Sequence, residues 1–138
     1  MNMEKKRLFF SLFLLAVLSF RLPGASTPDF RVSDIFILND QFIVVKLENI
    51  SGETWNLTPE TKEHVFLTIY IDQIKRAEYK AKYVDSTLFL PNSLILFKTN
   101  FRAFQTLRIR AEINRDRLIP ESDYRNNTLE KNLSPSSG

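Results

Sequence analysis

Strict alternation of apolar and polar residues is the feature that most constrains the fold of this chain. It is clearest in residues 104–114, where one face collects the apolar side chains Leu107, Ile109, Ala111 and Ile113. Residues 65–71 repeat the pattern with Val65, Leu67, Ile69 and Ile71. A period of two puts alternate side chains on opposite faces of an extended strand, whereas a helix needs a period of about 3.6. The chain is therefore expected to build sheets that bury one face.

Short runs of this kind, separated by turn residues, recur along the chain after residue 26. We predict strands at residues 30–38, 41–49, 65–71, 74–83, 94–99, 104–114 and 128–133. The pairs 39–40 and 72–73 supply turns, and a slip in the alternation at Ser33 and Asp34 indicates a β-bulge. About seven short strands with turns at this spacing predict an all-β fold, an antiparallel β-sandwich. We find no internal repeat and expect no second domain.

The start of the chain has the three-part layout of a secretory signal peptide. Basic Lys5, Lys6 and Arg7 precede the apolar run 8–20, which is followed by small residues up to Ser26. The apolar run is shorter than the roughly 20 residues of a membrane-spanning helix. An uncleaved anchor is the alternative. We therefore predict export to the periplasm or the extracellular space, with a signal peptide at 1–26, a sandwich domain at 27–133 and a disordered tail at 134–138.

Charge and cysteine content narrow the possible partners and chemistry. The chain carries 19 Lys and Arg against 16 Asp and Glu, but the basic surplus lies within residues 1–26. The remaining residues are balanced in charge, so we expect no nucleic-acid partner attracted by bulk charge. The chain has no cysteine, which excludes disulfides, thiolate metal sites and thiol catalysis.

A dense polar segment, residues 119–127, joins the last two predicted strands. Several of its side chains can fix a turn by bonding nearby backbone groups: Glu121, Ser122, Asp123, Asn126 and Asn127. We interpret the segment as a closing turn that docks the last strand and satisfies backbone groups at the end of the 104–114 strand. The oxygens of Glu121, Asp123, Asn126 and Asn127, with Asp116, could instead bind Ca²⁺, but their spacing matches no dedicated calcium loop. We predict no metal site and no cofactor.

Five segments in this order resemble a known family. They are residues 28–32 (Pro-Asp-Phe-Arg-Val), 48–52 (Glu-Asn-Ile-Ser-Gly), 70–72 (Tyr-Ile-Asp), 90–93 (Leu-Pro-Asn-Ser) and the closing segment 119–127. The set resembles the CARDB family, the cell-adhesion-related domains of bacterial exported proteins. The resemblance implies an immunoglobulin-like sandwich of bacterial origin, used as a spacer or binding module. That origin would make the Asn-x-Ser/Thr sequons incidental: Asn49, Asn56, Asn126 and Asn132.

Trp55, the single tryptophan, stands in the long connection 50–64. A large, rigid aromatic side chain could anchor a partner or stack on a sugar, because such groups concentrate binding energy. Alternatively, it plugs one end of the sandwich. Three tyrosines complete the candidate binding residues: Tyr70, Tyr79 and Tyr83.

Catalytic signals are sparse. His64 is the only histidine, and no serine stands in a recognisable nucleophile turn. The carboxylates show no spacing that selects an acid–base pair. We therefore predict no enzymatic activity, with a secreted hydrolase as an alternative. The expected function is a non-catalytic binding or adhesion module that engages another protein or a surface polymer in the cell envelope. A carbohydrate-binding module that uses Trp55 is a second alternative.

Overall fold

The computed structural model describes residues 27–136, so the predicted signal peptide and the last two residues of the tail lie outside the described residues. The regular structure consists of strands β1 (Phe30–Ile37), β2 (Phe42–Asn49), β3 (Val65–Ile71), β4 (Ile74–Lys80), β5 (Ser93–Arg102), β6 (Leu107–Ile113) and β7 (Thr128–Leu133). Short 3-10 helices, Thr61–Glu63, Ala81–Tyr83 and Ser86–Phe89, lie in the connections. Within residues 27–136 no helix is long and apolar enough to cross a membrane.

The strands form two antiparallel sheets, which confirms the all-β, two-sheet prediction. One sheet has three strands in the order β1-β2-β5, and the other has four in the order β4-β3-β6-β7. The alternation that predicted β6 is borne out, since Ile109, Ala111 and Ile113 are all buried. They join the inward side chains of the other strands, such as Ile35 and Leu47, in one core.

Two local predictions are also confirmed. The register of β1 against β2 shifts between Val32 and Asp34, which is the expected bulge. Asp72 and Gln73 form the two-residue turn between β3 and β4 with φ of 49° and 70°. Positive φ at both positions is typical of a type I′ hairpin turn, whose twist matches that of the strands.

Three predicted strand ends were wrong by three residues each. The strand predicted at 74–83 ends at Lys80, because Ala81 is fully buried and donates its N–H to the His64 carbonyl at 2.8 Å. The strand predicted at 94–99 runs on to Arg102, since the Thr99 hydroxyl bonds the Ile43 carbonyl at 2.7 Å and holds this stretch to β2. The strand predicted at 104–114 begins only at Leu107.

The two sides of the sandwich are closed differently. On the β1–β7 side, the Val32 N–H donates to the Asn126 carbonyl at 3.1 Å, and Lys131 pairs with Asp34 at 2.9 Å. On the β4–β5 side, the Tyr79 ring meets the ring of Phe97 at 4.7 Å between centroids.

The connections are divided unequally between the two ends of the sandwich. Because antiparallel strands alternate in direction, the connections 50–64, 81–92 and 114–127 all fall at one end. We call this the loop end. Among the described residues, the connections at the opposite end are the short turns 38–41, 72–73 and 103–106. Long irregular segments on a rigid scaffold commonly carry function, so the loop end is where a site is expected.

Candidate functional site

Four aromatic rings meet at the loop end: Phe30, Trp55, Phe66 and Phe89. The Trp55 ring stands edge-on to Phe89 at 5.0 Å and to Phe30 at 6.2 Å. The backbone N–H of Trp55 also donates to the Phe89 carbonyl at 2.9 Å. Phe30 and Phe66 are fully buried, whereas Trp55 is half-buried. Edge-to-face pairs add about 0.5–1.5 kcal/mol each beyond area burial. Trp55 therefore packs on one end of the core, and part of its ring stays exposed.

A groove of about 290 Å³ lies beside Trp55, between the connections 50–64 and 81–92. Its walls combine apolar, hydroxyl and amide side chains: Thr54, Trp55, Asn56, Leu57, Ser86, Thr87, Phe89 and Leu90. Leu90 is 51% exposed at the rim. Apolar concavities with a few polar groups are the usual form of a binding pocket, and their volumes start at about 300 Å³. The groove is thus sized for one or two side chains, or for one sugar ring.

Asn49, the last residue of β2, holds the two walls of the groove together. Its side chain is buried, with 1% of the residue exposed. Its Nδ2 donates to the Glu53 carbonyl at 3.0 Å and to the Leu90 carbonyl at 2.9 Å. Its Oδ1 accepts from the backbone N–H of Ser51 at 3.1 Å and from the Ser51 hydroxyl at 2.8 Å. One carboxamide thus links the first connection to the second.

The wall formed by Ser86–Phe89 has its own hydrogen bonds. Asp85 caps this turn, with Oδ1 accepting from the Thr87 N–H at 3.0 Å. That bond lowers the pKa of the Asp85 carboxyl, which is therefore charged at neutral pH. At the far end, the Ser93 hydroxyl contacts the carbonyls of Leu88 and Leu90, each at 2.8 Å. The groove is preformed, so a ligand would order few groups when it binds.

The predicted tyrosines do not join Trp55 in one surface. Tyr70 lies on the outer face of the four-stranded sheet, where the Arg110 guanidinium covers its ring at 3.9 Å and Arg115 donates to its hydroxyl at 2.8 Å. Tyr79 lies between the sheets on the β4–β5 side, and burial raises the pKa of its hydroxyl. Tyr83 is 66% exposed in the 81–92 connection. Among the described residues that line the groove, none is a tyrosine.

The closing segment bonds the first strand as well as the last ones. Buried Glu121 accepts the Phe30 N–H on Oε1 at 2.8 Å. Its Oε2 accepts from the side-chain amides of Asn114 at 2.6 Å and Asn127 at 2.5 Å. At the end of β6 it is the backbone carbonyl of Asn127, and not an acid or amide side chain, that accepts the Ile113 N–H, at 2.9 Å. Burial outweighs these bonds and raises the pKa of Glu121.

The other polar residues of the closing segment act locally. The Asp123 carboxylate accepts the backbone N–H of Arg125 at 2.9 Å and fixes a turn. Asn126 donates its side-chain amide to the Asp29 carboxylate at 2.9 Å, just before β1. Ser122 is exposed and is held through its backbone N–H. The segment is built as a structural closure, with its hydrogen bonds directed into the fold.

The described residues offer little support for a metal site or for acid–base catalysis. Residues 27–136 contain no cluster of three or more His, Asp or Glu side chains placed to hold a metal ion. Both carboxylate oxygens of Glu121 face N–H donors, which is the wrong polarity of neighbour for Ca²⁺ coordination. His64, at the start of β3, accepts the Ala81 N–H on its backbone carbonyl.

Two asparagines that organise the loop end were not singled out from the sequence. In the sequence, both mark the end of a predicted strand, and Asn49 is also a sequon and a member of the 48–52 segment. Asn114 is buried with φ of 52°, and its Oδ1 accepts the Ile119 N–H at 3.0 Å. The available signal was their position, since each follows an alternating strand and precedes a long connection. A short amide side chain at that place can bond the backbone that leaves the sheet.

Comparison of the chain with protein-family models, curated proteins and solved structures found no match. The resemblance to the CARDB family therefore stays a prediction. Function has to be inferred from the residues and geometry of the loop end.

Proposed function

We propose that this protein is a non-catalytic binding module that engages another protein through the groove beside Trp55. The observation that carries the proposal is a preformed, largely apolar groove with a half-buried indole and an exposed Leu90 at its rim. A partner side chain in this groove would remove both from water. Large aromatic anchors at the centre of a patch supply most of the energy in many interfaces.

The rigidity of the groove supports this proposal. Asn49 bonds both walls, and the backbone N–H of Trp55 on the first wall bonds the Phe89 carbonyl on the second. Association is opposed by the ordering of loops, so walls that are already held in place favour binding. Loops clustered at one end of a sandwich are also the surfaces that sandwich domains commonly use to bind.

The setting that we propose is the bacterial cell envelope, with an immunoglobulin-like type of sandwich. The layout of residues 1–26 and the resemblance to the CARDB family support it. N-terminal sequencing of the protein recovered from envelope and culture fractions tests the export step. We expect the mature chain to begin at Thr27, and a chain that keeps Met1 in the cytoplasmic fraction would contradict export.

A carbohydrate-binding module is the second candidate, because hydroxyl and amide groups line the groove next to the indole. Thr54, Asn56, Ser86 and Thr87 could bond sugar hydroxyls while Trp55 packs on a sugar ring. The three predicted tyrosines lie elsewhere, and Phe89, the second aromatic residue of the groove, is only 3% exposed, so Trp55 is the main exposed platform among the described lining residues. We therefore favour a protein partner.

Site-specific photo-crosslinking tests the proposed function. A photoreactive phenylalanine analogue replaces Asn56 on the groove wall in one variant and Asn132 on β7 in the control. Both positions are exposed, and Asn132 lies near the opposite end of the sandwich. We expect a discrete protein adduct from position 56 in living cells, identified by mass spectrometry, and none from position 132. Equal adducts at both positions, or adducts to glycan alone, would reject a protein partner in the groove.

A further inference from the structure

We infer that the groove takes a partner segment in which a bulky apolar side chain is flanked by lysine or arginine. This inference rests on the proposed function and adds the chemistry of the partner. It comes from the charges of the two connections that form the groove, 50–64 and 81–92, which carry two lysines, Lys62 and Lys82, against four acidic residues: Glu53, Glu60, Glu63 and Asp85.

The charged residues nearest in sequence to the groove-lining residues are acidic. The stretches 47–61 and 83–97 contain four acidic residues and no lysine or arginine: Glu48, Glu53, Glu60 and Asp85. Glu48 is paired with Arg31 at 2.5 Å on the outer face of the small sheet. Within residues 27–136, the other three carboxylates take part in no ion pair.

Glu53 and Asp85 stand where each wall begins. Glu53 precedes Thr54 on the first wall, and Asp85 precedes Ser86 on the second. The Asp85 carboxylate accepts a backbone N–H, forms no ion pair within residues 27–136, and is charged at neutral pH. An apolar groove whose two walls each follow an unpaired carboxylate in the sequence favours a cation next to an apolar group, because opposite charges favour encounter and register.

None of the three nearby lysines forms an ion pair with these two carboxylates: Lys62, Lys80 and Lys82. Lys80 and Lys82 both bond Glu63, at 3.0 Å and 2.9 Å. These two bonds lower the pKa of Glu63 to about 2, so that carboxylate is charged at neutral pH. The acidic surplus at the groove therefore remains available to a partner. The groove volume of about 290 Å³ holds one large apolar side chain and leaves the neighbouring residues of the partner segment at its rim.

Fluorescence of Trp55 tests this inference, because the chain has a single tryptophan. Three capped heptapeptides are titrated into the purified protein at low and at physiological salt. Their central triplets are Lys-Leu-Lys, Glu-Leu-Glu and Lys-Ser-Lys, within the same Gly-Ser flanks. We expect the Lys-Leu-Lys peptide to bind tightest and to weaken as salt is added. The double variant Glu53→Gln, Asp85→Asn keeps both side-chain shapes and an N-cap at position 85.

The variant separates charge from shape. We expect it to weaken Lys-Leu-Lys binding by about threefold to thirtyfold, the range of two exposed ion pairs. Binding of Glu-Leu-Glu should improve in the same variant. Equal affinities for the basic and acidic peptides, an unchanged affinity in the double variant, or no response to any peptide would each overturn the inference. The photo-crosslink from position 56 is independent of peptide charge, so the proposed function can stand when this inference fails.

Discussion

Asn49→Ala removes the side chain that joins the two walls of the groove, and the cost can be worked out from its contacts. Four hydrogen bonds are lost: two from Nδ2 to the carbonyls of Glu53 and Leu90, and two to Oδ1 from Ser51. A single buried hydrogen bond is worth about 0.5–1.5 kcal/mol net, and a buried group left unpaired costs about 1–3 kcal/mol.

The sum of the four bond energies overestimates the cost, because two of the partner carbonyls have a second hydrogen-bond donor. The Leu90 carbonyl keeps the Ser93 hydroxyl at 2.8 Å, and the Glu53 carbonyl has the Ser51 hydroxyl at 3.5 Å. The Ser51 N–H is the group that loses its acceptor. We therefore expect Asn49→Ala to lower the free energy of unfolding by about 2–4 kcal/mol.

Urea denaturation followed by Trp55 fluorescence measures this change, since the probe lies in the affected groove. Asn56→Ala is the matched control, because Asn56 is an asparagine of the same end of the sandwich but lies exposed on the groove wall. The control should stay within about 0.5 kcal/mol of the wild type. Asn49→Asp keeps the acceptor for Ser51 but turns an oxygen toward two carbonyls, so it should be at least as destabilising as alanine. An Asn49→Ala variant as stable as Asn56→Ala would show that the Asn49 side chain does not hold the two walls of the groove together.

Three further predictions concern the polar contacts of the loop end. Burial raises the pKa of Glu121, so its contribution to stability is full below its unfolded pKa of 4.5 and is lost as pH rises through the folded value. The free energy of unfolding of wild type minus Glu121→Gln should therefore fall as pH rises above 4.5, and a rise would contradict the assignment. Glu63 should titrate by NMR with a pKa of about 2, and Lys82→Ala should raise it; an ordinary pKa in the wild type would show that the lysine bonds do not form in solution. Asn127→Ala should cost about 1–3 kcal/mol in urea denaturation, more than Asn126→Ala, because Asn127 is buried and bonds Glu121; equal costs would contradict this ranking.

The strands could be predicted because their signal is local. Alternation in residues 104–114 identifies β6 and its buried face, and the turn pair at 72–73 identifies a hairpin, without knowledge of the rest of the chain. The ends of strands were less predictable. Residues 81–83 continue an alternating pattern, but the burial of Ala81 and its bond to the His64 carbonyl turn the chain away from β4. That contact joins distant parts of the sequence, so no local pattern reports it.

The groove depends on long-range contacts to a greater degree. Trp55 was a candidate from its type and its loop, but its wall partner Phe89 lies in another connection. Tyr70 and Tyr79 were candidates for the same reason of residue type, and sheet geometry sends them to an outer face and to the β4–β5 side. Residue type therefore identified one member of the site, and topology decided which others could join it.

The closing segment illustrates how a polar cluster is assigned to structure. Its sequence allowed either a metal loop or a hydrogen-bonded turn, because both use carboxylates and amides. The burial of Glu121 and the bond that it accepts from the Phe30 N–H show that its side chain points into the fold. The aromatic ring of Phe30 belongs to the cluster beneath Trp55, so this closure also supports the groove from behind.

The most direct test of the central claim compares two leucines of the loop end with matched exposure. Leu90 lines the groove and is 51% exposed, whereas Leu118 is 50% exposed and lies in the 114–127 connection, away from the groove. Calorimetry measures the affinity of Leu90→Ser and Leu118→Ser for the protein captured at position 56. Burial of the exposed half of a leucine is worth about 1–1.5 kcal/mol, so Leu90→Ser should bind about five- to tenfold more weakly. Leu118→Ser should bind like the wild type, and equal affinities of the two variants would contradict a site in the groove.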